Sequence, residues 1–352
     1  MTSLLIDLLD SVAQSPHADP ALLTAADDLR AALTPDVTHG PFLTVIVRTQ
    51  GRRIETLKDA LLCLAAQSCQ DFDVIVADHD SDEVGAVAVR AAVDEQAVDF
   101  RSRISIAEVS GGGRAHPLNV ALSRATGQYI AIYDDDDLLF GHWVETFRSA
   151  AETAGNRLIR AQVGLQNVQP EAWPDAEAGF LTLSSIRAEY PEEYDQLRHI
   201  RVNSSPFMGW AFPRVLFEKL GFRFDEELEV CEDWDVILRG ASLLGVTNAT
   251  ELTSIYRRWE NGRSSYDVHD LEEWQRSESR VIEKLDAMPL VLDRGAATQI
   301  RQVLVFEDAA NAHAHLLAGW TWRLATPIRI GVGVVKRARP FVGRVLRRFH
   351  LR

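Results

Sequence analysis

The chain has 352 residues, of which 46% are apolar and 25% charged, and it carries a formal net charge of -14. That apolar share over this length suffices for a buried core and excludes a disordered chain, while the acidic excess excludes nucleic acid as the main ligand, because phosphate backbones are bound where Lys and Arg concentrate. Cys63, Cys69 and Cys231 follow neither zinc-ligand spacing nor a disulfide framework, which points to a reducing, cytoplasmic compartment.

The N-terminal stretch "MTSLLIDLLDSVAQS" lacks the positive segment of a secretory signal and has Asp7 and Asp10 inside its apolar run. Apolar residues at helical spacing over 4–34, broken near Pro16 and Pro20, predict two short amphipathic helices within a preface spanning 1–40. The texture then changes. "FLTVIVRT" (42–49), "FDVIVAD" (72–78), "RISIAEV" (103–109) and "QYIAIYD" (128–134) are short, β-branched and continuously apolar, as strands covered on both faces are. Helical patterns separate them, in "ETLKDALLCLAAQS", "EVGAVAVRAAVDEQ" and "HPLNVALSRATG". Strands alternating with helices of this length imply right-handed crossovers and an α/β fold with a mainly parallel sheet.

Ligands of such sheets bind beyond the carboxyl ends of the strands. There the fourth strand runs into "YDDDDLLF", four consecutive aspartates that repel one another unless something cationic sits among them. Side chains alternate along a strand, so Asp134 and Asp136 converge on one side, with Asp135 and Asp137 available from the turn. Two carboxylates completed by phosphate oxygens suit Mg²⁺ or Mn²⁺. A second acid set, Glu232, Asp233 and Asp235 in "VCEDWDVILRG", opens a helical pattern and offers a general base apart from the metal ligands.

Residues 157–268 mix short strands with that helix, and "LEEWQRSESRVIEKL" and the stretch from Ala297 to Leu324 predict C-terminal helices over 269–326. Residues 323–352 hold nine Arg or Lys and no acid. Interleaved with Val334, Val335, Phe341, Val342, Leu346 and Phe349, the cations of 327–352 have the pattern of an interfacial helix, which predicts peripheral contact with an anionic membrane. No run reaches the length of a membrane span.

The ordered set "LTVIVRT", "FDVIVADHDSD", "LNVALSRATGQYIAIYDDDDLL", "FMGWAFPRVLFEKLGFRFDEEL" and "CEDWDVILR" resembles the GT-A glycosyltransferases of the large inverting family 2, over roughly residues 41–265. The resemblance implies a Rossmann-like GT-A domain over 41–268, with a donor half (41–140) and an acceptor half (141–268). It implies that Thr49 lies where the nucleoside is held, that Asp78 accepts from a uracil-type N3–H, and that Arg114 and Asn119 lie near the donor's ribose and diphosphate. Asp134 and Asp136 match the metal motif, with Asp135 beside them. Asp233 matches the catalytic base, with Glu232 adjacent. The expected donor is a UDP- or dTDP-type sugar. The expected acceptor is a glycan, lipid-linked or protein hydroxyl, in bacterial cell-surface glycan assembly on the cytoplasmic face. Phe207 and Trp210 are candidates to stack on an acceptor sugar.

Two departures stand out. Relatives often carry a His where this chain has Trp259, which cannot ligate a metal. Relatives also often carry Pro then Thr-Tyr-Asn where this chain has "RTQGR", which leaves the base of the nucleotide open. Two other functions fit parts of the pattern. A sugar-nucleotide nucleotidyltransferase shares the sheet, but "VRTQGRR" is a poor version of its Gly-rich loop. A silent sugar-nucleotide-binding module is favoured by Trp259 and opposed by Asp233.

Overall fold

A computed structural model describes residues 4–14, 19–33, 40–173, 176–204, 206–260, 269–292 and 295–306. Two helices, α1 (Leu4–Ala13) and α2 (Pro20–Leu33), precede the sheet. Leu4, Ile6 and Leu33 are buried, and Asp7 accepts from Arg157 at 2.9 Å, so the preface is tied to the domain by apolar packing and an ion pair.

The four apolar runs are strands β1 (Leu43–Thr49), β2 (Phe72–His79), β3 (Ile104–Val109) and β4 (Tyr129–Asp134), paired in parallel in the order β3-β2-β1-β4. Successive residues of β1 face opposite layers. Val45 and Val47 pack with Leu57 and Leu61 of α3 (Ile54–Ala65), whereas Ile46 joins Leu118 of α6 (His116–Leu122). Coverage on both faces is what made these strands continuous apolar runs. Helices α4 (Glu83–Asp94) and α5 (Val98–Arg101) complete the crossovers. Gly51, at φ +66° in the turn after β1, lets that loop press on the start of α4: a Cβ there would stand 3.1 Å from the Gly85 backbone.

Past β4 the sheet continues with mixed polarity. Strands β5 (Leu138–Leu139), β6 (Leu158–Trp173), β7 (Ala176–Thr182), β8 (Trp210–Pro213) and β9 (Val246–Trp259) extend it in the order β4-β8-β6-β9-β5, with β7 paired to β6. β8 runs antiparallel to β4 and β6, and β6 and β9 run parallel. Instead of the short strands the sequence suggested, β6 has 16 residues and β9 has 14. Their partly exposed, polar-interrupted faces hide that length from an apolar-run reading.

Helices α7 (Trp143–Ala154), α8 (Gln196–Arg201), α9 (Arg214–Glu218) and α10 (Glu232–Leu244) flank this half, and α11 (Leu271–Asp286) packs its Val281 and Leu285 with Trp234 and Leu238 of α10. The chain divides into two compact units, Met1–Asp293 and Arg294–Arg352. In the second, residues 296–306 are helical, and the expected basic tail over 327–352 lies outside the described residues. No described helix is long and apolar enough to cross a membrane.

Candidate active site

The carboxyl ends of β1, β2 and β4 place Thr49, Asp78 and Asp134 side by side, since Thr49 is in register with Asp78 and Arg48 with Asp134. Along the acid run burial alternates. Asp135 and Asp137 are 3% and 2% exposed, while Asp134 and Asp136 are partly open.

The charge that makes the run tolerable is supplied by arginines. Arg48, the one cation in β1, gives Nε at 3.0 Å to Asp134 Oδ1 and Nη1 at 2.8 Å to Glu232 Oε1. Arg53 pairs with Asp135 at 3.0 Å and closely with Asp136. Arg257 grips the turn itself: its backbone N–H donates to Asp137 Oδ1 at 2.8 Å, Nε to Asp136 O at 2.5 Å and Nη2 to Asp137 O at 3.1 Å. Burial, compounded by the neighbouring acids, pushes the Asp137 carboxyl up, and burial pushes Asp135 up against the pull of Arg53.

Arg48 joins the two acid motifs. Glu232 is buried at the start of α10 and accepts from Arg114 Nε at 3.2 Å as well as from Arg48. Burial opposes its ionisation, yet Arg114 and Arg48 overcome that and bring its carboxyl to about 2. Asp233 goes the other way, pushed up to about 6 by burial and then by the Glu232 charge. Asn203 Nδ2, at 3.1 Å, and the Trp234 N–H, at 2.6 Å, both fall on Asp233 Oδ1, which leaves Oδ2 without a partner among the described residues. One oxygen is thus fixed and the other open. Cys231, just before Glu232, sits at φ +67°, a left-handed conformation unusual for a side chain of its size, and so sets the angle at which α10 enters the site.

The donor-side expectations separate on inspection. Asp78 is buried at the mouth of β2 and hydrogen-bonded to Ser81, and burial raises its carboxyl. The Thr49 hydroxyl donates to Asp135 at 2.6 Å and accepts from Gly51 N–H at 3.2 Å, so it braces the acid run. Asn119 clasps the 224–226 strap through Phe224 O at 2.9 Å and Glu226 Oε1 at 2.9 Å. Phe207 and Trp210 require a correction: they are 6% and 0% exposed, packed against Phe212 and other core rings, so neither offers a face to a sugar. Trp259 is also buried, edge-on to Phe180 with their centroids 5.8 Å apart, and Arg257 lies over both rings. Sequence reasoning missed Arg48, Arg53 and Asn203. For Arg48 a signal existed, because a lone cation interrupts an otherwise apolar strand.

The donor set fits a hard divalent cation completed by substrate. Each guanidinium takes one oxygen, which leaves Asp134 Oδ2 and Asp136 Oδ1 uncommitted among the described residues. No group of three His, Cys, Asp or Glu side chains able to hold a metal ion occurs among those residues, so a cation there would need phosphate and water for its remaining positions.

The family model described as glycosyl transferase family 2 matches residues 44–221. An uncharacterised glycosyltransferase of Rickettsia typhi is 20% identical over 273 residues, 76% of this chain and 80% of its own. The uncharacterised glycosyltransferase EpsJ of Bacillus subtilis is 25% identical over 185 residues, 51% of this chain and 49% of its own, so this chain spans about half of that relative. Two solved structures share the GT-A fold. TarS 1–349 of S. aureus, in complex with UDP-GlcNAc, has a TM-score of 0.52 at 19% identity, covering 73% of this chain and 70% of that one. The mannosyltransferase PcManGT of Pyrobaculum calidifontis, in complex with GDP-Man and Mn²⁺, has a TM-score of 0.52 at 17% identity, covering 96% and 94%.

Proposed function

The chain belongs to glycosyl transferase family 2, and from that premise we propose that it moves a sugar from a nucleoside-diphosphate donor to an acceptor hydroxyl with inversion, assisted by Mg²⁺ or Mn²⁺. The observation that supports this reading is the Arg48 bridge, which ties Asp134 at the end of β4 to Glu232 at the start of α10, next to Asp233. Structural neighbours crystallised with UDP-GlcNAc and with GDP-Man plus Mn²⁺ support the donor class and the ion.

Asp134 and Asp136 would hold the cation through their uncommitted oxygens. Bound there, it would supply charge neutralisation for the departing diphosphate. The chain's own residues do the rest. Asp78 would accept from the base, and Arg114 would face the diphosphate. Asp233 Oδ2 takes the proton of the incoming hydroxyl, while Asn203 holds the other oxygen still. Glu232 stays ionised and keeps Asp233 basic enough to act. Attack from the base side, opposite the leaving group, inverts the anomeric centre. Residues 327–352 supply a peripheral attachment to anionic lipid, consistent with an acceptor assembled at the inner membrane face for the cell surface.

The test is a product analysis. Once a donor is in hand, NMR of the first-formed linkage should show inverted configuration, and Asp233→Asn should lower kcat by about 10²–10⁴ while leaving donor affinity within about twofold. A retained anomer, or normal turnover by that variant, contradicts the assignment.

A further inference from the structure

Arg48 is placed by the alternation of β1. It points to the same side of the sheet as Ile46, two residues before it, toward the layer that Ile46 shares with Leu118 of α6 and with Val236 and Ile237 of α10. Asp134 stands beside it in register on β4. The one cation of β1 therefore arrives among the acids at the carboxyl end of the strand, with its side chain only 10% exposed.

All three of its guanidinium nitrogens are used. Nε and Nη2 both fall on Asp134 Oδ1, at 3.0 and 2.9 Å, and Nη1 serves two acceptors, Glu232 Oε1 at 2.8 Å and Arg114 O at 3.2 Å. These partners lie 86, 184 and 66 residues away along the chain, at the end of β4, at the start of α10 and in the loop that follows β3. Arg114 closes the set into a ring, because its Nε also reaches Glu232 Oε1 at 3.2 Å.

Stability alone does not call for this arrangement. An arginine between buried carboxylates gives back in desolvation much of what it gains in attraction, and apolar side chains of similar volume often serve a fold as well. What the fork supplies is geometry, since a planar guanidinium fixes the directions of its partners as an ammonium does not. Its hold on Asp134 falls on Oδ1 and leaves Oδ2 uncommitted among the described residues. We propose that Arg48 is a positioning residue for the transfer: it keeps Asp134, the loop ending at Arg114 and the start of α10 at one relative setting, so that ion binding at Asp134 and proton removal at Asp233 depend on the same guanidinium. The inference rests on the reaction proposed above and adds that the two acid sets of the site are coupled.

Mn²⁺ binding to the full chain, alone and with UDP, dTDP or GDP, read by electron paramagnetic resonance, tests the coupling without turnover. Arg48→Lys keeps the charge and loses the fork, so its Mn²⁺ dissociation constant should rise about tenfold, the worth of one charge-assisted hydrogen bond. Glu232→Gln is a change on the base side, yet it should raise that constant about threefold, because Arg48 then has Asp134 as its only carboxylate partner among the described residues. With the donor that wild type turns over, each substitution should lower kcat about tenfold, and the double variant should lose no more than about threefold beyond the worse single one, since both cut the same link. If Arg48→Lys does not fold, Glu232→Gln carries the Mn²⁺ test. Wild type that binds no Mn²⁺ under any of these conditions removes the ion from the proposed reaction and this inference with it. Wild type that binds it while either variant leaves the affinity unchanged, or kcat losses that multiply in the double variant, overturns this inference alone.

Discussion

Arg53 and Arg48 pair with different acids of the site, and to different ends. Arg53 is a third exposed and rests on Asp136, one of the two acids free to take a cation, so in donor-free protein it competes with the ion for that carboxylate. Arg53→Gln removes both the competitor and a nearby positive charge. Its Mn²⁺ dissociation constant without donor, read by electron paramagnetic resonance, should fall at least about tenfold, given roughly 4 kcal/mol for unit charges at 4 Å near a protein surface; an unchanged or weaker affinity contradicts this. Arg48 is buried between Asp134 and Glu232, and Arg48→Met takes the arginine from Asp134 and leaves Glu232 to Arg114 alone. Urea unfolding should report a loss of about 3 kcal/mol. At Asp233 the sign is set by the base having to be ionised: kcat/KM should fall as pH drops through about 6. Glu232→Gln removes the neighbouring negative charge, so that limb should move to lower pH, and a limb that stays in place would show that Glu232 does not tune the base.

Helix α10 carries the base, and its position depends on its neighbour α11. Lys284 of α11 reaches both Asp225 and the fully buried Asp235, at 2.9 and 2.8 Å, while Arg280 adds a 2.8 Å bond to Asp225 and Arg239 closes on Asp235 at 2.6 Å. Burial opposes ionisation of Asp225, but Arg280, Lys284 and the Glu227 N–H hold its carboxyl well below the usual carboxylate range. A depressed folded-state value means stability that is complete above the ordinary aspartate range near 4 and lost as pH falls below it. Unfolding free energy measured from pH 6 down to pH 2 should therefore drop for wild type, and Asp225→Asn should start lower and decline less steeply. At this scale the sequence was readable where the physics is local. The runs 42–49, 72–78, 103–109 and 128–134 are strands because both faces are covered, and their alternation with helices gave the sheet. β6 was harder to see, because the buried Arg160 and the partly open Gln162 and Asn167 interrupt Ile159, Val163 and Leu165. That pattern has no clean period over 16 residues.

Across the molecule, the clustering of the acids was legible and that of Arg48 and Arg53 around them was not. A run such as Asp134–Asp137 is anomalous wherever it falls, so it announces itself, but Arg53 looks like any surface arginine until the fold brings it to the acids. Phe207 and Trp210 show the converse failure, since composition cannot tell an aromatic that lines a cleft from one that fills a core. The whole account depends on those paired carboxylates serving a metal-bound diphosphate. The most direct measurement is titration calorimetry of UDP, dTDP and GDP against the full chain, with and without Mn²⁺, for wild type and for Asp134→Asn with Asp136→Asn. The account predicts that one diphosphate binds at least about tenfold more tightly when Mn²⁺ is present, and that the double variant loses this gain. Diphosphate binding indifferent to the ion, or a gain that survives the double substitution, would contradict it.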